Sequence, residues 1–393
     1  MSLVELVVDD LRCIEHAELQ LHPGHNLIWG GNGSGKTSLL ESIFLLGRGR
    51  SFRTRNSERL IRHGRDRLVV FGRTGGDLSA RNSGAGYIAG GASESTADPE
   101  GQEGNPARAV GRPGDAAPLS QPLGVQVSRA DGTIARISGA AARSLTELTQ
   151  AFPVQVIDPG VHKLVEEGGH RRRRWMDWAV FHVEHQFGDW WLRYTRILKQ
   201  RNAALRTQPA QVSVWDAELA KVGELIALAR RQFVESLLPY WRESVLALSG
   251  LEPDLHYFKG WAQDVSLAEA LVASKARDES RHLTHPGPHR ADVIIRMNGR
   301  PAREVLSRGQ QKLVAVAMTL AQLNLLQQAT QTTPTLLLDD PAAELDGDHL
   351  KRFIEQVMRL RSQLVLSSLH SESHLFGTPN RVFHVEQGGV KPV

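Results

Sequence analysis

Residues 30 to 37 read GGNGSGKT, a spacing of glycines, one lysine and one hydroxyl that could bind a nucleotide phosphate. The segment fits the pattern of a glycine, four residues and then Gly-Lys-Thr. Lys36 could reach the β- and γ-phosphates, and Thr37 could offer its hydroxyl to Mg²⁺. The apolar segment HNLIW precedes it and a helical pattern follows, so we predict a phosphate loop with ATP and Mg²⁺ as cofactors, rather than a plain glycine turn. The backbone N–H groups that would surround the phosphate belong to Gly30, Gly31, Asn32, Gly33, Ser34 and Gly35.

A second motif, PTLLLDDPAAELD at 334–346, ends an apolar strand in two acidic residues. Paired carboxylates at the end of a buried strand are costly unless they face a cation or solvent. With a phosphate loop in the same chain, we expect Asp339 to bind Mg²⁺ through water and Asp340 to lie beside the attacking water. Asp346 falls in the following turn and is a weaker catalytic candidate. The alternative is a solvated pair of acids in a strand-to-helix turn.

The segment LSRGQQKLVAVAMTLAQ at 306–322 predicts a buried helix with an unusual first turn. Ser307 and Gln310 have the spacing of a capping box. Acidic residues are favoured near a helix N-terminus, yet this turn carries Arg308 and Lys312, with Gly309 between them. The pattern therefore indicates that an anion binds this turn from elsewhere.

Strand and helix patterns divide the chain into parts that would position these motifs. SLVELVVDDL and AELQLHPGHNLIWG alternate like strands, and an Asp131-Gly132 turn joins two more within GVQVSRADGTIARIS. Residues 78–122 are poor in large apolar side chains, so we predict a disordered insertion in a β-rich lobe.

Residues 166–285 are predicted to form an α-helical arm. DWWLRYTRILKQRNAALR places Trp191 and Tyr194 on an apolar stripe, with Arg193 and Arg201 on the opposite face. A second helix is expected from Trp215 until Pro239 breaks or kinks it.

Composition limits the class of protein and its partners. The chain has 393 residues, one cysteine, a net charge of +4 and a pI near 9.3. No disulfide framework is possible, and neither an apolar span nor a leader is expected, which favours a cytoplasmic protein without a membrane partner. Eight arginines against two acids at 48–67, and RRRR at 171–174, favour contacts with a nucleic-acid backbone. The arginines chosen as candidate DNA contacts are Arg48, Arg50, Arg53, Arg55, Arg172 and Arg173.

The order of these motifs resembles the head of ABC-type ATPases and, within that group, the RecF family. The resemblance covers nearly the whole chain and includes GRSFRT, RRRRWMDWAVFHVE, LKQRNAALR and GPHRAD. It implies an α/β fold, a mixed sheet with a phosphate loop plus a β-rich lobe, and an inserted α-helical arm. The head would comprise residues 1–165 and 286–393, and the arm residues 166–285.

The resemblance also implies roles for further residues. In such heads Ser307, Arg308, Gly309 and Gln310 would face the γ-phosphate held by a second copy, with Arg308 turned toward that phosphate or toward DNA. Gln155 would sense the γ-phosphate or Mg²⁺; the alternative is that it is simply a residue of a core strand.

Four other positions are carried over with alternatives left open. Arg12 would stack on adenine or cover the sheet edge, and His370 lies one residue from where a phosphate sensor is expected. Arg172 and Arg173 would form a latch between head and arm or contact DNA.

The implied function is ATP-driven pairing of two heads around DNA near single-strand gaps. Slow, DNA-stimulated hydrolysis would release the DNA, and mediators of the RecO and RecR kind would be partners in recombinational repair, replication restart and SOS induction. The protein would act in the cytoplasm, at the nucleoid. A transporter ATPase subunit and a chromosome-organising SMC protein are the alternatives, but the helical arm disfavours the former and the lack of long heptads the latter.

Overall fold

The computed structural model describes residues 2–75, 120–142, 144–330, 333–343, 345–371 and 376–393. The predicted insertion at 78–122 lies outside these residues except for its last three positions. Gln121 and Pro122 already belong to a strand, so the insertion as predicted extends too far toward the C-terminus.

The described strands are β1 (Ser2–Leu11), β2 (Ile14–Gln20), β3 (His25–Trp29), β4 (Arg67–Gly75), β5 (Gln121–Ser128), β6 (Gly132–Ile137), β7 (Ala140–Ala141), β8 (Val154–Ile157), β9 (Asp254–Phe258), β10 (Asp292–Met297), β11 (Arg300–Pro301), β12 (Thr335–Asp339), β13 (Leu364–Ser368), β14 (Arg381–Glu386) and β15 (Gly389–Pro392). The described helices are α1 (Lys36–Arg48), α2 (Leu145–Ala151), α3 (Lys163–Glu166), α4 (Gly169–Val183), α5 (Phe187–Thr207), α6 (Asp216–Ser249), α7 (Leu267–Arg281), α8 (Ala302–Val305), α9 (Arg308–Thr330) and α10 (Gly347–Arg359).

Three sheets organise the part of the chain that the structure describes. The central sheet has the order β15-β14-β3-β13-β12-β8, in which the neighbours from β14 to β8 run parallel and β15 is antiparallel. An antiparallel sheet, β2-β1-β4-β5-β6-β7, forms the β-rich lobe, and the β5–β6 hairpin turns at Asp131-Gly132 as predicted. A smaller sheet has the order β11-β10-β9.

The central sheet separates two hydrophobic cores. Leu336 and Leu338 of β12 pack with the arm helices and α9, whereas Leu337 packs with α1 and the β-rich lobe. Leu27 and Ile28 of β3 divide between the two cores in the same way. Because successive side chains of a strand point to opposite faces, a continuous apolar run is what a strand covered on both sides requires.

The arm departs from the sequence-based prediction in three respects. Strand β9 lies inside the stretch predicted to be helical, because it pairs with β10 beyond the predicted arm boundary. Helix α6 continues through Pro239, which excludes the predicted break and leaves only the kink, since Leu237 and Trp241 are buried on either side and tertiary packing outweighs one lost backbone bond. Arg201 is 1% exposed, not solvated, and it is paired with Asp216 and Asp278. The domain limits themselves stay a prediction.

Candidate nucleotide-binding site

The phosphate loop connects the end of β3 to the start of α1. Gly30 has φ +156°, and a Cβ there would lie 2.2 Å from the backbone oxygen of Val385. Gly35 has φ +119°, and a Cβ there would lie 3.1 Å from Cys13 Sγ. Both positions therefore require glycine, because the backbone is left-handed and a neighbouring segment passes close by.

Lys36 is folded back over its own loop. Its Nζ donates hydrogen bonds to the carbonyl oxygens of Gly30, at 2.7 Å, and Gly31, at 2.8 Å. Burial lowers the pKa of Lys36, and the charges of Asp340 and Asp339 oppose that shift. Ser34 Oγ is buried without a hydrogen-bond partner among the described residues. A buried hydroxyl and an ammonium held only by carbonyls fit a site whose remaining partner is an anion.

Asp339 is held by hydroxyls from two other segments. Thr37 Oγ1 donates to its Oδ1 at 3.0 Å, and Ser367 Oγ donates to the same oxygen at 2.8 Å. The three residues meet because β3, β13 and β12 are consecutive parallel strands whose carboxyl ends share one edge. This edge is where α/β sheets bind ligands.

Asp340 follows β12 in a left-handed conformation, with φ +46°. Its backbone N–H donates to Ser367 Oγ at 3.0 Å, so one serine fixes both acidic residues. Aspartate tolerates this conformation better than most residues, but the conformation is still uncommon and is found at functional sites. The side chain acts electrostatically on Lys36, which places the two charges in one site.

The oxygen ligands at this site suit Mg²⁺ only when a nucleotide supplies further ligands. Among the described residues no group of three or more acidic, histidine or cysteine side chains could hold a metal ion alone. Thr37 and Asp339 supply a hydroxyl and a carboxylate, and Mg²⁺ commonly completes its shell with water and substrate phosphates. The residues therefore fit a Mg²⁺–triphosphate group.

A cavity of about 420 Å³, which we call the nucleotide cavity, adjoins this site. Its lining includes residues that were not predicted from the sequence. Asp158 follows β8 beside Asp339, because Ile157 of β8 pairs with Leu338 of β12. Burial raises the pKa of Asp158, as does the nearby charge of Asp339. The strand-like run VQVID, ending in an acid as TLLLD does, was the available signal. The residues that line the cavity are Thr37, Phe52, Arg53, Asp158, Pro159, Gly160, Lys163, Arg171 and Asp339.

The predicted capping box at the start of α9 is present. Gln310 N–H donates to Ser307 Oγ at 3.3 Å, and Ser307 N–H donates to Gln310 Oε1 at 3.0 Å. Ser307, Arg308 and Gly309 are exposed. The turn is thus satisfied locally and still open to solvent, while its role toward a phosphate stays a prediction.

Gln155 and Arg12 have structural partners in the described chain. Gln155 is buried on β8, where it donates to Gln322 of α9 and accepts a hydrogen bond from Arg48. Arg12 binds the buried carboxylate of Glu41 on α1 through two nitrogens. These contacts favour the core-strand and sheet-edge alternatives, although the proposed nucleotide contacts are not tested.

Asp346 and His370 lie beyond the acidic strand ends. Asp346 caps α10 by accepting from the His349 N–H at 3.1 Å, and this hydrogen-bonded histidine lowers its pKa. His370 is exposed just after β13. A catalytic or phosphate-sensing role for either residue remains a prediction.

The arginines predicted to contact DNA occupy different environments. Arg172 is bound by two nitrogens to Asp292 and is buried, which favours the latch alternative for this residue. Arg53 lines the nucleotide cavity. Arg48, Arg50 and Arg173 line a separate cleft between helices.

Comparisons with known proteins agree with this architecture. The model of the RecF/RecN/SMC N-terminal domain matches residues 2–82 and 119–390. A DNA replication and repair protein RecF from Cellvibrio japonicus is 36% identical over 403 aligned positions, which cover 99% of each chain. RecF from Thioalkalivibrio sulfidiphilus is 37% identical over 401 positions, covering 100% of this chain and 99% of the relative.

Solved structures share the fold. A recombination mediator protein RecF with ATP, from the RecFOR pathway, aligns with a TM-score of 0.81 at 22% identity, covering 100% of this chain and 97% of the other. An Smc head bound to the C-winged helix domain of ScpA aligns at 0.55 and 14% identity, with coverage of 100% and 97%. The expected ATPase-head fold is thereby confirmed. On the length and identity of these matches, the chain belongs to the RecF family.

Proposed function

We propose that this chain is an ATP-dependent DNA-binding protein of replication and repair, acting as its RecF relatives are named to act. The observation that carries the proposal is the site at the carboxyl edge of the central sheet. There Lys36 covers the phosphate loop, and Thr37 and Ser367 orient the carboxylate of Asp339. The ATP in a solved RecF structure supports the choice of nucleotide.

The residues suggest a division of labour in hydrolysis. The phosphates would take the place of the Gly30 and Gly31 carbonyls as partners of Lys36, and the glycine N–H groups would bind their oxygens. Thr37, and Asp339 through water, would hold Mg²⁺, which would supply charge neutralisation at the phosphate oxygens. Asp340 would orient the attacking water. We propose slow, DNA-stimulated turnover that serves as a timer for release.

The start of α9 supports a site completed by a second copy. Ser307 and Gly309 are exposed, and the turn carries arginine where a helix N-terminus favours anions. We propose that this turn binds the γ-phosphate held by another protomer. ATP would then join two chains, and hydrolysis would remove the charge that holds them together.

Arginines outside the nucleotide site would bind the DNA backbone. Arg50, Arg55 and Arg174 are exposed, and contacts of this kind carry little sequence preference. We propose duplex DNA near gaps as the target, mediators of the RecO and RecR kind as partners, and the nucleoid as the place of action. Among the described residues, no helix combines the length and apolar character needed to cross a bilayer.

Affinity for a blunt DNA duplex, measured with and without ATP over a range of salt concentrations, tests the proposal. We expect tight binding only with ATP and a steep loss of affinity as salt rises. Lys36→Ala should abolish the ATP effect, whereas Lys221→Ala, at an exposed site on α6, should retain it. Equal affinity with and without nucleotide would contradict ATP-dependent binding.

A further inference from the structure

A second cavity, of about 490 Å³, lies where α1, α2, α4 and α5 meet; we call it the arginine cleft. It shares no lining residue with the nucleotide cavity. Its size falls in the range of small-molecule sites. The residues that line it are Arg48, Arg50, Leu145, Thr146, Thr149, His170, Arg173, Arg174, Asp177, Trp178, Phe181, Phe187, Gly188, Trp191, Leu192 and His289.

The cleft carries positive charge that its own walls do not neutralise. Asp177, the one carboxylate among the residues that line it, is bound by Arg230 through two nitrogens at 2.8 and 2.9 Å. Arg174 is exposed but lies partly within the cleft, where partial desolvation lowers its pKa and repulsion from Arg50 and Arg55 adds to the shift. Cations that repel one another in a partly enclosed space attract an anion.

The walls of the cleft are also apolar and aromatic. The Arg48 guanidinium lies over the Trp178 ring, 4.8 Å from its centroid, and Arg48 Nε is buried without a partner among the described residues. Leu145 and Leu192 are 40% and 51% exposed. The rings of Trp178 and Phe187 belong to the core, but a surface that only held a DNA backbone would not need the exposed leucines.

These features together suit a ligand that joins a flat ring to a phosphate. We propose that the arginine cleft binds one unpaired nucleotide, with its base against the apolar wall and its phosphate at Arg50, Arg173 and Arg174. An apolar wall formed by Leu145 and Leu192 accepts any base, and arginine makes forked contacts with phosphate. A base within a duplex cannot enter, because it remains stacked between its neighbours.

An acidic peptide is the competing occupant, and the walls suit it less well. The lining residues lie on helices and on the turns beside them, so they offer no strand edge with which an extended peptide could pair. If a single-stranded end of DNA supplies the nucleotide, the inference rests on the proposed DNA-binding function. A free mononucleotide is the other source of the same chemistry.

The test compares three DNA duplexes in the presence of ATP: one blunt, one with a short unpaired overhang, and one with the same overhang lacking its bases. We expect the overhang with bases to bind about tenfold more tightly than the abasic one, because only the former offers a base to the apolar wall. Leu192→Glu should bring this ratio close to one. Leu228→Glu, at an equally exposed leucine on α6, should keep it.

A second arm measures equilibrium binding of deoxyadenosine monophosphate to the Lys36→Ala variant, whose phosphate loop is disabled. Binding that Leu192→Glu removes, without any preference for the overhang, supports the cleft with a free nucleotide as its source. No preference for bases and no mononucleotide binding would overturn the proposal. Capture of a glutamate-rich peptide by the cleft in place of either nucleotide ligand would also overturn it. A blunt duplex that binds equally with and without ATP would instead count against the proposed function.

Discussion

The hydroxyl of Thr37 donates to the carboxylate of Asp339 across 3.0 Å, although 302 positions separate the two residues in the chain. Thr37 is the last residue of the phosphate loop that follows β3, and Asp339 is the last residue of β12. The contact therefore exists only when β3, β13 and β12 are assembled. Folding therefore brings together the two halves of the proposed Mg²⁺–ATP site.

Thr37→Val should weaken Mg²⁺-dependent ATP binding by about tenfold, because a hydrogen bond to a charged group contributes about 1.5–3 kcal/mol. Thr37→Ser keeps the hydroxyl and serves as the control. Titration calorimetry with ATP, with and without Mg²⁺, measures both variants. An unchanged Mg²⁺ effect in Thr37→Val would show that the hydroxyl is not part of the metal site.

Ser367→Ala should reduce ATP hydrolysis by about 10- to 100-fold, a common cost of removing a group that orients a metal ligand. The change frees the Asp339 carboxylate and leaves the Asp340 N–H without its partner. Ser368→Ala is the matched control, since the Ser368 hydroxyl accepts only from the His370 N–H in the described chain. The steady-state rate of hydrolysis at saturating ATP distinguishes the two variants. Equal rates would show that Ser367 does not orient Asp339 for hydrolysis.

Arg172→Met should lower the free energy of unfolding by about 3–5 kcal/mol, because it leaves Asp292 partly buried without its cation. Arg196→Met, on the exposed face of α5, should change stability little. Urea denaturation measures both. If Arg172→Met is fully stable and only DNA affinity falls, Arg172 is a DNA contact rather than a latch.

Acid should destabilise the protein through two enclosed histidines. Burial lowers the pKa of His182 to about 3 and that of His289 to about 4. Both stay neutral in the folded chain, whereas the unfolded chain binds protons as pH falls below about 6.5, so stability is full above that pH and is lost toward the folded pKa.

Each histidine should lower the free energy of unfolding by about 2 kcal/mol at pH 5 relative to pH 7. His182→Phe removes the contribution of one histidine, so this variant should lose less stability on acidification than the unaltered protein does. His63→Phe, at an exposed site, is the control. Thermal unfolding at both pH values provides the readout, and equal losses in all three proteins would refute the assignment.

Much of the candidate nucleotide site could be predicted from the sequence because its parts are local. The glycines of the phosphate loop, the acid at a strand end and the Ser307–Gln310 cap each lie within a few residues. Ser367 could not be assigned, and only the strand-like run VQVID pointed to Asp158, since the roles of both depend on which strands become neighbours. For the same reason the periodicity of α5 placed Arg201 in solvent, whereas Asp278 of α7 meets it in the core.

The DNA-contact prediction shows the same limit. Consecutive arginines look equivalent in the sequence, but Arg172 points into the fold and Arg173 lines the arginine cleft. A charge run identifies a cationic region, and only the tertiary arrangement decides which of its members remain available to a ligand.

Mixing two disabled variants tests the shared phosphate most directly. We expect Lys36→Ala to prevent ATP binding and Ser307→Arg to block the start of α9, so each variant alone should neither form dimers nor hydrolyse ATP. A mixed pair would contain one intact site, built from the phosphate loop of one protomer and the helix start of its partner. Sedimentation with ATP and a hydrolysis assay of the mixture should both rise well above the sum of the separate variants. A mixture no more active or dimeric than that sum would contradict a site shared between two copies.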